Sequence, residues 1–276
     1  MGQVQPNLQP NLQPELQPEL LVGGRYVYTS DGRTDLLEQA AVAVCGDTIA
    51  EIGPLAELQR KYPEARQLIE KEGLIMPGLV NVHTHAAMAC FRGLADDLPL
   101  MQWLQEYIFP VEAKLTREIV YHSSLLSMAE MIRSGTTSFC DMYLFAKEVA
   151  RAASQSGMRA WIGEVLYDFP SPNYGPLEAG FNYVEELFAE YEAHSLVSIT
   201  VDPHSVYTCS PDLLIRLKEL AARADARYII HLAENQDEVQ EVYHRCGARP
   251  VQWLEQLGLL DQRVVADHCV VLSEEE

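Results

Sequence analysis

The regular alternation of strand and helix from Leu79 onward constrains the fold of this chain more than any other feature of its sequence. The segments predicted to be strands are residues 79–83, 136–141, 159–166, 196–202, 227–232 and 264–268. A strand followed by a helix at this repeat predicts parallel strands, because parallel neighbours need a long crossover connection. The sequence therefore predicts an α/β fold, either a doubly wound sheet or a β/α barrel.

Residues typical of helix ends support these boundaries. Gly135 and Gly157 each follow a predicted helix, where glycine commonly terminates the helical backbone. Ser210 is a predicted N-cap, with Pro211 and Asp212 in the first turn of the helix that follows it. These signals place helices between the predicted strands.

The tripeptide His83-Thr84-His85 ends the first of these strands, after the apolar run of residues 74–82. Successive strand residues point to opposite faces, so the two imidazoles point the same way, which is a geometry for chelating a metal ion. Two ordinary histidines on an exposed strand are the alternative interpretation. The histidines further along the chain favour the metal site.

Three further histidines lie at the ends of predicted strands: His204 follows the fourth strand, His231 ends the fifth and His268 ends the sixth. In a β/α barrel the working residues lie at the C-terminal ends of several strands. A doubly wound sheet more naturally has a glycine-rich turn after its first strand, and this chain has none there. The pattern therefore favours the barrel. Asp141, which ends the second strand, is predicted to support the site rather than to act in it.

The part of the chain before the barrel is predicted to have two segments. Residues 1–19 repeat the motif QPNL or QPEL, and proline at every fourth position predicts a flexible arm with no catalytic role. Residues 20–73 are predicted to be a small β unit, part of a β-sandwich. Its strands are predicted at residues 21–28, 40–45 and 48–52, with a hairpin around Gly46-Asp47.

The barrel domain, residues 74–276, is predicted to be incomplete. It has six predicted strands, whereas a closed barrel of this kind needs about eight. Open strand edges are an aggregation liability. We therefore expect the sequence to be a fragment of a longer protein.

Charge and composition exclude several classes of partner. The formal net charge of −20 over 276 residues argues against binding to nucleic acid or to an anionic membrane surface. No apolar run approaches the roughly 18–20 residues of a membrane span, and no secretory signal is visible. The six cysteines are scattered, which is typical of reduced thiols in a cytoplasmic protein. The oligomeric state stays open, with a homo-oligomer compatible with the sequence.

Several motifs resemble those of the amidohydrolase superfamily. The opening motif is PGLVNVHTH at residues 77–85. The motifs similar to the methylthioadenosine/S-adenosylhomocysteine deaminase branch are FRGLADDLPL at 91–100, IFPVEAK at 108–114, PHSVYTCS at 203–210, HLAE at 231–234 and HC at 268–269. This resemblance covers about residues 20–276. Guanine deaminases and triazine hydrolases share much of the pattern, so they remain as alternatives.

The resemblance implies one metal ion per subunit, usually zinc, with Fe²⁺ as an alternative, and His83, His85 and His231 as ligands. The fourth ligand of the family is an aspartate after the last barrel strand, and no residue of this chain can be matched to it. Asp267 is expected to point away from the barrel axis if His268 points inward, so it is not assigned as a ligand. A non-catalytic fragment that lacks the aspartate ligand is the alternative from a different functional class.

The resemblance and the chemistry of the residues imply a deaminase. Zinc lowers the pKa of a water molecule to about 7 and so supplies hydroxide at neutral pH. Glu234 is placed to take a proton from that water and pass it to a ring nitrogen, and His268 to orient the hydroxide and stabilise developing charge. The expected substrates are 5′-methylthioadenosine, S-adenosylhomocysteine or both, converted from adenine to hypoxanthine with release of ammonia.

The resemblance also implies a substrate pocket. Glu112 would accept hydrogen bonds from the ribose hydroxyls, His204 would contact the nucleoside and Trp103 would wall the adenosine pocket. Residues 168–194 contain no arginine to bind the carboxylate of S-adenosylhomocysteine. The choice between the two thioethers is therefore open at this point.

Overall fold

The computed structural model describes residues 17–32 and 36–276. The arm predicted for residues 1–19 lies for the most part outside the described residues. The chain divides into two compact units, Met1–Gly78 and Leu79–Glu276. Within the described part of the chain, no helix is both long enough and apolar enough to cross a membrane.

The first unit is built on one four-stranded sheet. Its elements in chain order are β1 Leu20–Val27, β2 Leu37–Cys45, β3 Thr48–Pro54, α1 Leu55–Lys61 and β4 Arg66–Ile75. The strand order is β3-β2-β1-β4, and only the β1–β4 pair is parallel. The predicted hairpin around Gly46-Asp47 is confirmed, since Cys45 pairs with Thr48 across that turn.

The apolar run that precedes the histidines is divided between the two units. Leu74 and Ile75 end β4, and the next strand begins at Leu79. Pro77 has no backbone N–H to donate to a sheet, which suits the break between the two strands. Strand β4 itself was not predicted from the sequence.

The second unit contains seven strands in its described sequence, all running parallel to their neighbours. They are β5 Leu79–Thr84, β6 Thr136–Tyr143, β7 Arg159–Leu166, β8 Val197–Ile199, β9 Asp202–Pro203, β10 Tyr228–Leu232 and β11 Val264–His268. Strands β5, β6, β7 and β8 pair in sequence order, β9 pairs with β7, and β10 pairs with β11. Single bridges from Val201 to Tyr228 and from Ser205 to His231 join these groups. The predicted incomplete β/α barrel is confirmed.

Helices follow most of these strands. They are α2 Leu100–Gln102, α3 Phe109–Glu112, α4 Arg117–Arg133, α5 Ala146–Ser156, α6 Leu177–Tyr191, α7 Pro211–Arg223, α8 Gln236–Cys246 and α9 Pro250–Gln256. A turn of 3₁₀ helix covers Ala86–Phe91, and a π-helical turn, Trp103–Ile108, joins α2 to α3. The predicted caps are confirmed: Ser210 accepts a hydrogen bond from the Leu213 N–H, and Gly157 ends α5 in the left-handed conformation.

The fourth predicted strand is observed in two pieces, β8 and β9. Both pair with β7 in the same register, because Ile162 lies opposite Ile199 and Val165 opposite Asp202. Between them, Val201 exchanges hydrogen bonds with the next strand instead of with β7. Because the chain transfers its hydrogen bonds at Val201 from β7 to the next strand, the sheet can curl, and His204 comes close to the end of β10.

Candidate metal centre

Strand β5 places His83 and His85 on one face. Thr84, between them, lies on the opposite face and bonds to β6. The two imidazole centroids are 4.8 Å apart. The Thr84 hydroxyl donates to Asp141 Oδ1 at 2.7 Å, and the Ala86 N–H donates to the same oxygen at 2.5 Å. Asp141 is fully buried, and its Oδ1 holds the turn after His85, while its supporting role at the site stays a prediction.

His231, at the end of β10, completes a cluster of three imidazoles. Its Nε2 lies 3.3 Å from the Nε2 of His85, and its ring centroid lies 4.9 Å from that of His83. Possible ligand atoms of the three histidines all lie within 4.8 Å of one another. The sequence-predicted ligands therefore meet at one point, as a shared metal ion requires.

The hydrogen bonds of His85 and His231 leave the correct nitrogens free. The Nδ1 of His85 lies 2.5 Å from the carbonyl of Met142, and the Nδ1 of His231 lies 2.7 Å from the carbonyl of His204. A carbonyl oxygen can only accept, so both Nδ1 atoms carry the proton. The unprotonated Nε2 atoms then face each other, which is the usual arrangement of metal-binding histidines.

Burial also keeps these two imidazoles neutral. It lowers the pKa of His85 to about 3, with a further decrease from the neighbouring His83, although the bond to Met142 opposes the shift. Burial likewise lowers the pKa of His231 well below its ordinary value. Neutral imidazole is the form that binds metals, and a set of nitrogen donors suits zinc. The residues therefore fit a divalent metal ion.

Asp267 does not point away from the site, and that prediction is wrong. Its carboxyl group is buried, and Oδ2 lies 2.8 Å from Nδ1 of His83. The expectation assumed that the extended backbone of β11 continues through His268. Instead, His268 and Cys269 have φ values of 68° and 50°, so the chain turns sharply in the left-handed region. The side chains of both Asp267 and His268 therefore approach the imidazoles.

Glu234 and His268 lie beside the three histidines. The ring of His268 stacks on that of His231 at a centroid distance of 5.3 Å, and its Nε2 is 3.8 Å from Oε2 of Glu234. Glu238, which the sequence did not single out, accepts the backbone N–H of Glu234 at 2.8 Å and that of Ala233 at 3.0 Å. It thereby fixes the turn after β10 that carries Glu234.

A cavity opens beside the imidazoles, and the three predicted substrate residues line it. These are Trp103, Glu112 and His204, which lie with His85 and His231 on the cavity wall. The rest of the wall is apolar or aromatic and consists of Met88, Leu104, Ile108, Phe109, Met142, Tyr143, Leu144, Val165, Tyr167 and Phe169. The cavity therefore combines an apolar lining with a few polar groups, as small-molecule sites do.

The polar groups of the cavity are held by neighbours. Burial raises the pKa of Glu112, and a hydrogen bond of 2.7 Å from the Tyr143 hydroxyl opposes the increase. Burial lowers the pKa of His204 to about 4, so its ring is neutral at pH 7. Its Nδ1 lies 2.9 Å from the Thr208 hydroxyl.

Several residues of the cavity wall were not predicted from the sequence. Tyr143 lies two residues after Asp141, in the part of β6 beyond the predicted end of that strand. Tyr167 and Phe169 follow β7, and their rings stack at a centroid distance of 3.9 Å. In the sequence, each of them is only an aromatic residue near the end of a barrel strand. Such a residue can line a cavity or pack in the core, and the positions of the neighbouring strands decide which.

Comparisons with known proteins agree with this geometry. Residues 74–276 match the amidohydrolase family, and residues 40–65 match an imidazolonepropionase-like composite domain of bacteria. The chain is 52% identical over 257 residues to a 5-methylthioadenosine/S-adenosylhomocysteine deaminase of Syntrophobacter fumaroxidans, and 45% identical over 258 residues to one of Syntrophus aciditrophicus. Each match covers 93% of this chain and 58% of the relative, so the chain spans little more than half the length of these relatives.

Solved structures are also similar. A zinc-bound adenosine deaminase of Xanthomonas campestris superposes with a TM-score of 0.91 at 36% identity, covering 94% of this chain and 59% of that one. A guanine deaminase of C. acetobutylicum superposes with a TM-score of 0.82 at 24% identity, covering 92% of this chain and 63% of that one. The second likeness shows the fold alone.

Proposed function

This chain belongs to the amidohydrolase family, and we propose that it carries the metal centre and nucleoside pocket of a deaminase that acts on 5′-methylthioadenosine, S-adenosylhomocysteine or both. The observation that carries the proposal is the meeting of His83, His85 and His231 beside an apolar cavity. The relatives that match 93% of the chain bear the name of this activity, and they are longer proteins.

The proposed cofactor is one zinc ion per subunit, with Fe²⁺ as the alternative, held by the three histidines. Nitrogen donors from histidine are ordinary zinc ligands, and the structure similar at 36% identity is described with zinc bound. When bound, zinc lowers the pKa of a water molecule to about 7 and so provides a nucleophile at neutral pH.

Glu234 is the proposed proton carrier. Deamination forms a C–O bond at the amino-bearing ring carbon and breaks the C–N bond, so that the amino group leaves as ammonia. The attacking water gives up two protons in all: one passes to the purine ring nitrogen, and the other passes to the amino group that leaves as ammonia. The carboxylate of Glu234 lies beside the imidazole cluster and can move the first of these protons, and His268, 3.8 Å away, can stabilise the charge that develops.

The cavity residues are proposed to bind the nucleoside. Glu112 can accept hydrogen bonds from ribose hydroxyls, while Trp103 and His204 can contact the purine and its sugar. The aromatic and apolar wall suits an uncharged thioether substituent. A cytoplasmic location is proposed as well, because all six cysteines of the chain are free thiols.

The test is ammonia release by the zinc-loaded chain with a panel of 5′-methylthioadenosine, S-adenosylhomocysteine, guanine and a triazine. We expect low activity from a chain that spans 58% of its relatives, but what turnover it has should be of one or both thioethers and should be lost when a chelator removes the metal. Turnover of guanine or the triazine with both thioethers inert would contradict the proposed substrate class. Zinc uptake without turnover of any compound would support the alternative of a non-catalytic fragment.

A further inference from the structure

Asp267 has no role in the proposed chemistry, yet it contacts one of the three imidazoles. We infer that Asp267 is a positioning residue: its buried carboxylate fixes the proton of His83 on Nδ1 and so leaves Nε2 free to bind the metal ion. The inference rests on the metal site of the proposed function and is independent of the identity of the substrate.

Each of the three imidazoles has an oxygen atom close to its Nδ1. For His85 and His231 this atom is a backbone carbonyl oxygen, at 2.5 and 2.7 Å. For His83 it is Oδ2 of Asp267, at 2.8 Å. The contact of His83 is an ion-pair contact and not an aligned hydrogen bond, because Oδ2 of Asp267 has no hydrogen-bond partner in the described part of the chain. Asp267 therefore acts on Nδ1 through its charge, whereas the backbone acts on the other two histidines through hydrogen bonds.

The electrostatics of this contact also favour a proton on Nδ1. If Nδ1 of His83 lacked its proton, an electron-rich nitrogen would lie 2.8 Å from a carboxylate oxygen, and the two would repel each other. A proton on Nδ1 turns this repulsion into attraction. The contact therefore favours the tautomer in which Nε2 carries the lone pair, as carboxylates do behind metal-binding histidines.

Within the described part of the chain, the ring nitrogen of His83 is the basic group that lies within ion-pair distance of Asp267. The Asp267 side chain is 2% exposed, and no lysine or arginine of the described chain is paired with it. A buried carboxylate without a partner is strongly unfavourable. The approach of His83 therefore offsets part of the cost of burying this carboxylate, whose Oδ2 accepts no hydrogen bond in the described part of the chain.

The position of Asp267 also separates it from the metal ligands themselves. Its carboxylate faces Nδ1 of His83, whereas the imidazoles of His85 and His231 approach through Nε2. The group of side chains in the described sequence that could share an ion consists of the three histidines and does not include Asp267. Asp267 lies opposite His231 in the β10–β11 register and reaches from there to β5. It thus connects the first strand of the half-barrel with the last.

The affinity for zinc tests this inference directly. Competition with a chelating dye should show that Asp267→Ala binds zinc about 10–100-fold more weakly than the wild-type chain, the range usual for such supporting residues. Asp267→Asn should also bind zinc more weakly than the wild-type chain, because the contact acts through the charge of the carboxylate. The matched control is Glu164→Gln, which changes a fully buried carboxyl group of β7 that bonds to Ala146 and Asn173 and should leave zinc affinity unchanged. Equal affinity of Asp267→Ala and the wild-type chain would overturn the inference.

A double-mutant cycle distinguishes action through His83 from a general structural effect. In a His83→Ala background, Asp267→Ala should cause no further loss of zinc affinity, because the ring that it positions is gone. Full additivity of the two losses would show that Asp267 acts elsewhere. Circular dichroism and thermal unfolding of each variant identify any that fail to fold.

If the chain takes up no zinc, the inference can still be tested by determining the tautomer of His83 in the metal-free protein. Nitrogen NMR of the imidazole side chains should show His83 as the Nδ1–H tautomer in the wild-type chain and shifted toward the Nε2–H tautomer in Asp267→Ala. An unchanged tautomer would refute the inference. If zinc binding depends on Asp267 while no substrate is deaminated, that result would contradict the proposed function and would still support the inference.

Discussion

At the scale of single residues, the metal centre depends on which nitrogen of each imidazole is free. The spacing of His83 and His85 predicted a metal-binding pair, histidines at the ends of parallel strands predicted a cluster, and the resemblance to amidohydrolases identified His231 as the third ligand. The sequence could not predict the groups behind them. The carbonyls of Met142 and His204 become partners only when distant strands are adjacent. Asp267 was misplaced because the rule of alternating faces fails where the backbone turns left-handed at His268.

The role of Glu234 is testable at this scale. Replacement by glutamine removes the group that accepts and delivers the proton, while keeping the shape of the side chain. We expect Glu234→Gln to lower kcat by about 10²–10⁴-fold and to leave the zinc content unchanged, because Glu234 is not among the three clustered histidines. Steady-state kinetics and metal analysis of the same preparation provide the measurement. A variant that retains more than about a tenth of the wild-type kcat would show that another group carries the proton.

At the scale of elements, the strands of the second unit were predictable because each is a short apolar segment between helix-capping signals. Strand β4 was not predictable in this way, since its middle residues Glu70, Lys71 and Glu72 are charged and exposed. Pairing with β1 makes it a strand, and that pairing is a tertiary effect. The division of the fourth barrel strand has a similar origin, because Val201 bonds to the neighbouring strand.

One buried carboxyl group links two of these elements and gives a pH-dependent stability. Glu164 of β7 accepts the Ala146 N–H at the start of α5 at 2.7 Å and the side-chain amide of Asn173 at 3.0 Å. Burial raises its pKa from 4.5 to about 8, although these bonds oppose the shift. Between those two pH values the folded chain holds a proton that the unfolded chain has lost, so this contribution to stability falls as pH rises.

We therefore expect the free energy of unfolding of the wild-type chain to fall relative to that of Glu164→Gln between pH 5 and pH 8. The difference should change by on the order of 2–4 kcal/mol, since one pKa unit corresponds to about 1.4 kcal/mol. Urea unfolding of both proteins across this pH range measures this difference in the free energy of unfolding. A constant difference, or one that changes in the opposite direction, would mean that Glu164 is ionised throughout.

At the scale of the whole molecule, the described sequence forms a half-barrel with two strand edges that have no further partner in it. Strand β5 pairs with β6 alone, and β11 with β10 alone. Leu79, Val80 and Val82 of β5 are each at least half exposed. An apolar edge strand with free backbone groups is a template for pairing with another chain, even at a net charge of −20.

We expect the chain to self-associate through this edge. Val80→Lys should weaken the association, because a charge on an edge strand opposes strand addition. The control is Ile132→Lys, which places the same charge at a residue of similar exposure on helix α4 and should leave the association unchanged. Sedimentation velocity over a range of concentrations measures the effect. Equal association of the wild-type chain and Val80→Lys would exclude β5 as the contact.

The central claim is that the ends of β5 and β10 hold one divalent metal ion between them. Diffraction from crystals of the zinc-loaded chain, collected at the zinc absorption edge, locates such an ion directly. The account predicts a single anomalous peak about 2.0–2.1 Å from Nε2 of His83, His85 and His231. A peak bound elsewhere, or zinc-loaded crystals with no peak between these three rings, would contradict it.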